Sequence, residues 1–288
     1  MDILLAFPLV AAAFYSLSVI LVKLATNGDR LSPNSILVFT NVSMWLFFLP
    51  SIFSEGGIKD ISLVWQPVVV GIFFAMGNFA TFLCAHKGEV SLMTPIMGVK
   101  ILFVLLLSKV LLGMELPATM VSAGIICCAA VFIMGYSKGA GSGGKEWITF
   151  ALAMWACTSY AACDVLIQKF SPNFSATSML CISNFVLILS CAPYFGTFAR
   201  DIKRASKHTL TLGFFASILM VVEALFMFMA LTHGVSAPLC NGIMSVAFVY
   251  AIGRHADGLE TLTQGSATRR TIGALMILGA VALAVFGG

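Results

Sequence analysis

The sequence predicts an all-α membrane protein with ten transmembrane helices, arranged as two inverted repeats of five helices. Of its 288 residues, 60% are hydrophobic and only 10% carry a formal charge, whereas soluble domains have about 25% charged residues. A helix needs roughly 20 apolar residues to cross a hydrocarbon core, so the chain has room for about ten crossings joined by short loops. The apolar segments are too long for barrel strands, which have about ten residues of alternating polarity.

The predicted helices follow the apolar segments in chain order. In the first half these are Ile3 to Ala25, Ser35 to Ser54, Ser62 to Ala85, Val90 to Leu112 and Leu116 to Tyr136. In the second half they are Trp147 to Lys169, Ala176 to Phe198, Leu210 to Thr232, Ser236 to Arg254 and Arg269 to Phe286. The Gly- and Ser-rich stretch SKGAGSGGKE between the halves is typical of a flexible linker. We therefore predict a first repeat at residues 1–137, a linker at 138–146 and a second repeat at 147–288.

Polar and turn residues recur at matched positions in the two halves, which indicates an internal repeat. One common offset relates Val90-Ser91 to Val235-Ser236, Gly113 to Gly258, Glu115 to Glu260, Tyr15 to Tyr160 and Asn78 to Glu223. Because each half has an odd number of predicted crossings, the two copies must enter the membrane in opposite orientations. Inverted repeats of this kind are the architecture of alternating access.

The segments that end the two halves resemble a known family. They begin GEVSLMTPIMG and GVSAPLCNGIM, and each has a small-residue turn, an early proline, an ending related to "LGE" and a Gly-rich last helix. In this pattern the chain resembles the EamA-type ten-helix permeases of the drug/metabolite transporter superfamily. The endings read Leu112-Gly113-Met114-Glu115 and Gly258-Leu259-Glu260, so both depart from the exact motif. The resemblance implies a ten-helix basket around a central cavity, and export or exchange of small metabolites, amino acids or drugs.

Three ionisable residues, Lys100, Asp164 and Glu223, fall near the middle of predicted helices. A charge at that depth costs roughly 2.5 to 3.5 kcal/mol on insertion scales, so each needs a cavity or a partner. Lys100 follows Pro95, which loosens the helix, and could receive an anionic group of a substrate. The alternative for Lys100 is a permanent ion pair with an acid. Glu223 could exchange a proton during transport while its repeat counterpart Asn78 binds substrate; the alternatives are pairing with Lys100 or a carboxyl that stays neutral.

Asp164 belongs to a polar stripe on the sixth predicted helix. Cys157, Tyr160 and Gln168 lie at helical spacing from it, and such stripes usually face the protein interior. In the small multidrug carriers of the superfamily, an acid in the first helix of the unit handles cations and protons, and Asp164 lies in the corresponding helix. Val19 occupies the equivalent place in the first half, so this chain lacks the paired acids of that mechanism. A structural pairing of Asp164 is the alternative.

These residues lead to one functional prediction. We expect a secondary active transporter, an exporter or exchanger of a small polar metabolite, whose site between the halves is lined by Lys100, Glu223, Asn78, Asp164, Tyr160 and Asn241. An acid and a base in one cavity suit a zwitterion such as an amino acid. The alternatives are a lipophilic-cation or drug exporter, favoured by the many Met and Phe residues, and a non-transporting membrane partner or lipid-handling subunit. Asn241 is also a buried amide that could simply bridge helices.

The remaining features argue against other classes. No nucleophile with a base, metal-ligand cluster or phosphate-binding glycine loop occurs, so we expect neither an enzyme nor a bound cofactor or metal. The net charge of +4 is small and gives no nucleic-acid footprint. The expected partners are a small-molecule substrate, the lipid bilayer and protons as a candidate coupling ion. Both halves lie in one chain, so no second copy is needed, and we expect a monomer or a weak homodimer. The expected location is the cell (inner) membrane, as a multi-pass protein.

Basic residues give an expectation about orientation. Most Lys and Arg residues lie at loops after odd-numbered helices, and only Lys59, Lys109 and Lys169 follow even-numbered ones. The positive-inside rule therefore places both termini outside the cytoplasm, whereas the family resemblance places both inside. One group, Arg200, Lys203, Arg204 and Lys207, is predicted to be a solvated loop that faces lipid headgroups and sets orientation rather than binding a ligand.

Overall fold

The computed structural model describes residues 6–26, 31–54, 60–87, 99–135, 143–238 and 240–241, together with 272–273, 275–276, 279–280 and 283. Within these ranges every regular element is a helix, as predicted for an all-α protein. The α-helices are α1 (Ala6–Thr26), α2 (Pro33–Phe48), α3 (Ser51–Ser54), α4 (Trp65–Lys87), α5 (Lys100–Leu112), α6 (Ala118–Gly135), α7 (Gly143–Phe170), α8 (Ala176–Ser190), α9 (Phe195–Arg204) and α10 (Lys207–Thr232). Short 3-10 turns at Ile61–Leu63 and Ala192–Tyr194 lie before α4 and α9.

Several of these helices are long and apolar enough to cross a membrane. The segments are Asn34–Phe53, Ile61–Thr81, Trp147–Phe170 and Lys207–Thr232, and the bent pair Ala176–Ser190 and Ala192–Arg204 adds a fifth if it forms one span. These lengths fit a membrane-embedded protein. Most of the predicted helices Ser236 to Arg254 and Arg269 to Phe286, and the start of Val90 to Leu112, lie outside the described residues. The count of ten and the inverted repeat therefore stay predictions.

Two prolines lie at breaks in helices that were predicted as single spans. The predicted helix from Ser35 to Ser54 divides into α2 and α3 at Leu49 and Pro50, and the one from Ala176 to Phe198 ends at Ser190. Pro193 lies in the 3-10 turn that follows, and the chain bends there by 53°. A proline has no backbone N–H to donate and its ring crowds the preceding turn of helix, which explains both breaks. The basic segment after Pro193 was predicted as a loop, which is wrong: it forms α9.

The chain forms two compact units, and each takes segments from both halves of the sequence. One unit comprises Met1–Ala75 with Phe170–Gly234, and the other comprises Met76–Lys169 with Val235–Gly288. We refer to them as the first and second units. They divide the chain differently from the predicted repeats at 1–137 and 147–288, which are defined by sequence similarity and stay a prediction. Within the predicted linker at 138–146, α7 already begins at Gly143.

In the first unit, α1 packs along α10, which also contacts α2 and α8. The Phe226 ring of α10 lies edge-on to Phe7, with ring centroids 5.2 Å apart, and stacks on Phe14 at 6.3 Å. Close approach of two other helices depends on Gly71 of α4. A Cβ at Gly71 would stand 2.7 Å from the carbonyl oxygen of Ser183 on α8. Small residues let membrane helices approach this closely without a side chain between them.

We expect a Gly71→Ala substitution to destabilise the protein, because the added methyl group meets backbone that cannot move without shifting α8. Overpacking of this kind costs about 1–3 kcal/mol, which thermal unfolding of the purified protein in detergent would measure. The matched control is Gly196→Ala on α9, where a Cβ would meet nothing within 4 Å. That variant should be neutral or more stable by up to about 1 kcal/mol, since Ala favours helix over Gly. Equal effects of the two substitutions would contradict close packing at Gly71.

Candidate functional site

The second unit contains all of the predicted site residues except Glu223. Asn78 lies on α4, Lys100 is the first residue of α5, and Tyr160 and Asp164 lie one turn apart on α7. Asn241 lies in the helical residues that follow Val235. Because residues four apart share a face of a helix, Tyr160 and Asp164 can meet the same partner. The contacts below join these residues into one network.

The centre of the network is an ion pair between Lys100 and Asp164. The Lys100 Nζ atom lies 2.7 Å from Oδ2 of Asp164, and the two side chains are only 24% and 12% exposed. At this distance the contact is a charge-assisted hydrogen bond, which is stronger than one between neutral groups. Lys100 and Asp164 therefore pair with each other. An ion pair was one of the alternatives for each residue, with Glu223 as the expected partner of Lys100. The pairing of Lys100 with Asp164 was not predicted.

Asn241 also binds the carboxylate of Asp164. Its Nδ2 atom donates to Oδ2 of Asp164 at 2.8 Å and to the carbonyl oxygen of Ala237 at 2.9 Å. One turn beyond Asp164, Oε1 of Gln168 accepts a hydrogen bond from the backbone N–H of Ala237 at 2.9 Å. The polar stripe of α7 thus binds the segment that carries Asn241 at two points. Gln168, which the stripe contained but the predicted site did not, positions Asn241.

Tyr160 joins the ion pair to α4. Its ring centroid lies 5.7 Å from Nζ of Lys100, within the range of a cation–π interaction. Its hydroxyl donates to Oδ1 of Asn78 at 2.8 Å and lies 3.3 Å from Oγ1 of Thr81. A half-buried amide and a hydroxyl thus fix the ring that faces the ammonium group. Thr81 was not predicted from the sequence, although its position three residues after Asn78 places it on the same face of α4.

A glycine makes room for the Tyr160 ring. A Cβ at Gly77 would lie 2.7 Å from Cε1 and 2.8 Å from Cδ1 of Tyr160. Because its hydroxyl is hydrogen-bonded, the Tyr160 ring cannot move aside to make room for an added side-chain atom. Gly77 is therefore required for the position of the ring, a role that single-sequence analysis cannot distinguish from ordinary helix packing.

Glu223 belongs to the first unit, on α10. The predicted repeat offset relates Tyr15 of α1 to Tyr160, and Glu223 to Asn78. The positions that are hydrogen-bonded in the second unit are thus occupied in the first unit by a tyrosine and a carboxylic acid. The joint site of Glu223 with Lys100 stays a prediction.

The described residues offer a network of hydrogen-bonding and charged groups rather than a metal centre. Among the side chains that the structure describes, no group of three or more His, Cys, Asp or Glu could hold a metal ion. The cysteines at 84, 128, 157, 163, 181, 191 and 240 are buried and carry free thiols. The arrangement can bind a cation at Asp164, an anion at Lys100, or a molecule with both charges.

One solved structure, described only as "Crystal structure of protein", superposes on this chain with a TM-score of 0.74. The alignment covers 98% of this chain and 96% of the other, with 14% sequence identity. The two chains share a fold. At this identity the likeness indicates nothing about activity. No protein-family model matches the chain, and no curated protein matches it.

We expect Lys100 and Asp164 to be energetically coupled. Replacing either one, in Lys100→Gln or Asp164→Asn, leaves a buried charge without its partner, which costs about 3 kcal/mol or more. The double variant leaves no uncompensated charge, so its loss of stability should be clearly smaller than the sum of the two single losses. Thermal unfolding of the four proteins in one detergent measures this difference. Additive losses would show that the ion pair does not form in solution.

Proposed function

We propose that this protein is a secondary active transporter of a small polar metabolite that works by alternating access and binds its substrate at the Lys100–Asp164 pair. The observation that carries the proposal is a closely paired cation and anion, surrounded by hydrogen-bonding groups, with the anion on α7, which is long and apolar enough to span a membrane. Charges at such a depth are expensive, and they commonly mark the path of a substrate or ion. A pair that served only packing could be replaced by apolar residues at little cost.

The chemistry of the pair favours a zwitterion, with an amino acid as the leading candidate. A substrate carboxylate can replace Asp164 as the partner of Lys100, while a substrate ammonium group binds Asp164. One ion pair then becomes two, and no charge is left without a partner. The Tyr160 ring offers a second contact for the ammonium group through its face, and Asn78 offers an amide for a further polar substituent.

A substrate with one charge fits this site less well. A simple amine would pair with Asp164 and leave Lys100 unpaired, and a simple carboxylate would do the reverse. Leaving one member of a buried pair without a partner costs 2 kcal/mol or more, which is at least about thirtyfold in affinity. This disfavours the lipophilic-cation exporter, because the neutral pair presents no net negative charge. It also gives the substrate class a direct test.

The wider features agree with a carrier. In each unit a tyrosine and a polar residue occupy positions related by the predicted repeat, as an inverted-repeat transporter would have. We therefore propose that the chain is a member of the EamA-type permeases in the cell (inner) membrane, with ten helices in two inverted repeats. The rival is a non-transporting membrane partner, and the specific observation in its favour is that the ion pair is closed at 2.7 Å.

We expect neutral amino acids to raise the thermal unfolding temperature of the purified protein, and matched amines or carboxylates that lack one charge to have little effect. Lys100→Gln and Asp164→Asn should each weaken binding by about thirtyfold or more, since each removes one of the two charge contacts. Lys109→Gln and Asp60→Asn are matched controls, because they make the same chemical changes at exposed positions. Equal binding of amines and amino acids would contradict the zwitterion proposal. If no amino acid is bound or carried into liposomes, the non-transporting rival is favoured.

We further propose that Glu223 takes up and releases the coupling proton. Uptake of the substrate into liposomes should then depend on an imposed pH gradient, and Glu223→Gln should abolish that dependence while leaving substrate binding intact. The neutral amide keeps the size of the side chain but cannot exchange a proton. The measurement is the initial uptake rate with and without the gradient, for the wild type and the variant. An unchanged gradient dependence in Glu223→Gln would remove Glu223 from the mechanism.

A further inference from the structure

Helix α9 carries opposite chemistry on its two sides. Arg200, Lys203 and Arg204 share one face of the helix at spacings of three and four residues, and Lys207 follows at the start of α10. All four side chains are exposed. We call this group of four the basic face. Phe195, Phe198 and Ile202 lie on the other side, so the helix is strongly amphipathic.

The acidic residue of α9, Asp201, is bound at the start of α2. Oδ2 of Asp201 accepts hydrogen bonds from the backbone N–H of Ser32 at 3.1 Å and from the Ser32 hydroxyl at 2.8 Å. It also accepts one from the Ser35 hydroxyl at 2.6 Å. Ser32 is the N-cap of α2, where the partial positive charge of the helix end favours a carboxylate. Asp201 therefore attaches α9 to α2.

The apolar side of α9 also packs against α2. The Phe198 ring lies 6.3 Å from that of Phe39 on α2. Phe195 at the start of α9 is 38% exposed. The helix follows the apolar helix α8 after a bend of 53° and leads directly into α10, whose segment is apolar enough to span a membrane. A short amphipathic helix next to a segment of this kind is typical of one that lies in the plane of the membrane interface.

We propose that the basic face of α9 is a binding site for the headgroups of anionic phospholipids. Its four cations are held on a helix that Asp201 fixes in place, beside segments that would lie in the hydrocarbon core. An anionic lipid suits both the basic face and the apolar side of α9. Its phosphate group binds the cations while its acyl chains lie along the apolar surface. A soluble polyanion would contact only the basic face and leave the apolar side of α9 without a partner.

The test measures binding of short-chain phosphatidylglycerol to the detergent-purified protein by native mass spectrometry, beside phosphatidylcholine of the same chain length. We expect phosphatidylglycerol to bind more tightly. Each basic residue near an anionic surface contributes about fivefold in affinity, so the double variant Lys203→Gln, Lys207→Gln should bind phosphatidylglycerol about 25-fold more weakly. The matched double variant Lys109→Gln, Lys169→Gln removes two exposed lysines elsewhere and should bind it as the wild type does.

Three results would overturn the proposal. The first is equal affinity for phosphatidylglycerol and phosphatidylcholine. The second is an equal loss of affinity in the two double variants, which would indicate a response to net charge rather than a site on α9. The third is displacement of phosphatidylglycerol by inorganic phosphate at a similar concentration, which would indicate a site for free anions. Unfolding temperatures of the variants confirm that any loss of binding is measured on folded protein.

Discussion

The ion pair between Lys100 and Asp164 is the constraint on which the second unit depends. Removing two charges from water costs several kcal/mol for each ion, and their attraction offsets this only when geometry and further hydrogen bonds are favourable. Asn241 supplies the second hydrogen bond to the carboxylate, and the Tyr160 ring faces the ammonium group. Gly77 is required because the ring needs its space. The surrounding residues are thus explained by what a buried pair of charges needs.

The sequence predicted the class of the protein and much of the site for physical reasons. Apolar length and rare charges give the membrane character, and the spacing of Tyr160, Asp164 and Gln168 gives one face of a helix, because both signals are local. The partner of Lys100 could not be predicted, since it depends on which distant helices meet. The same holds for Gly77 and Thr81. The bend at Pro193 could have been predicted from the proline itself. Helix α9 was not predicted, because its many charged residues are typical of a loop.

The two tyrosine pairs show how one predicted repeat can carry two chemistries. In the second unit the hydroxyl of Tyr160 meets the amide of Asn78, and the charges nearby belong to the ion pair. In the first unit the positions related to these two by the predicted repeat are occupied by Tyr15 and Glu223. An amide cannot change its charge, whereas a carboxyl group can gain or lose a proton. Such a difference between related positions would let one unit bind a solute while the other responds to protons.

Charge balance gives a reason why such a division would be useful. A zwitterion that enters the Lys100–Asp164 pair leaves the net charge of the second unit unchanged, so the solute alone supplies no electrostatic drive for its own movement. Moving a proton, by contrast, carries one elementary charge, which is worth about 2.3 kcal/mol for each 100 mV of membrane potential. A neutral solute site therefore needs a second group that changes charge if transport is to be concentrative. Among the three ionisable residues singled out from the sequence, Glu223 is the one that is not a member of the ion pair and belongs to the first unit.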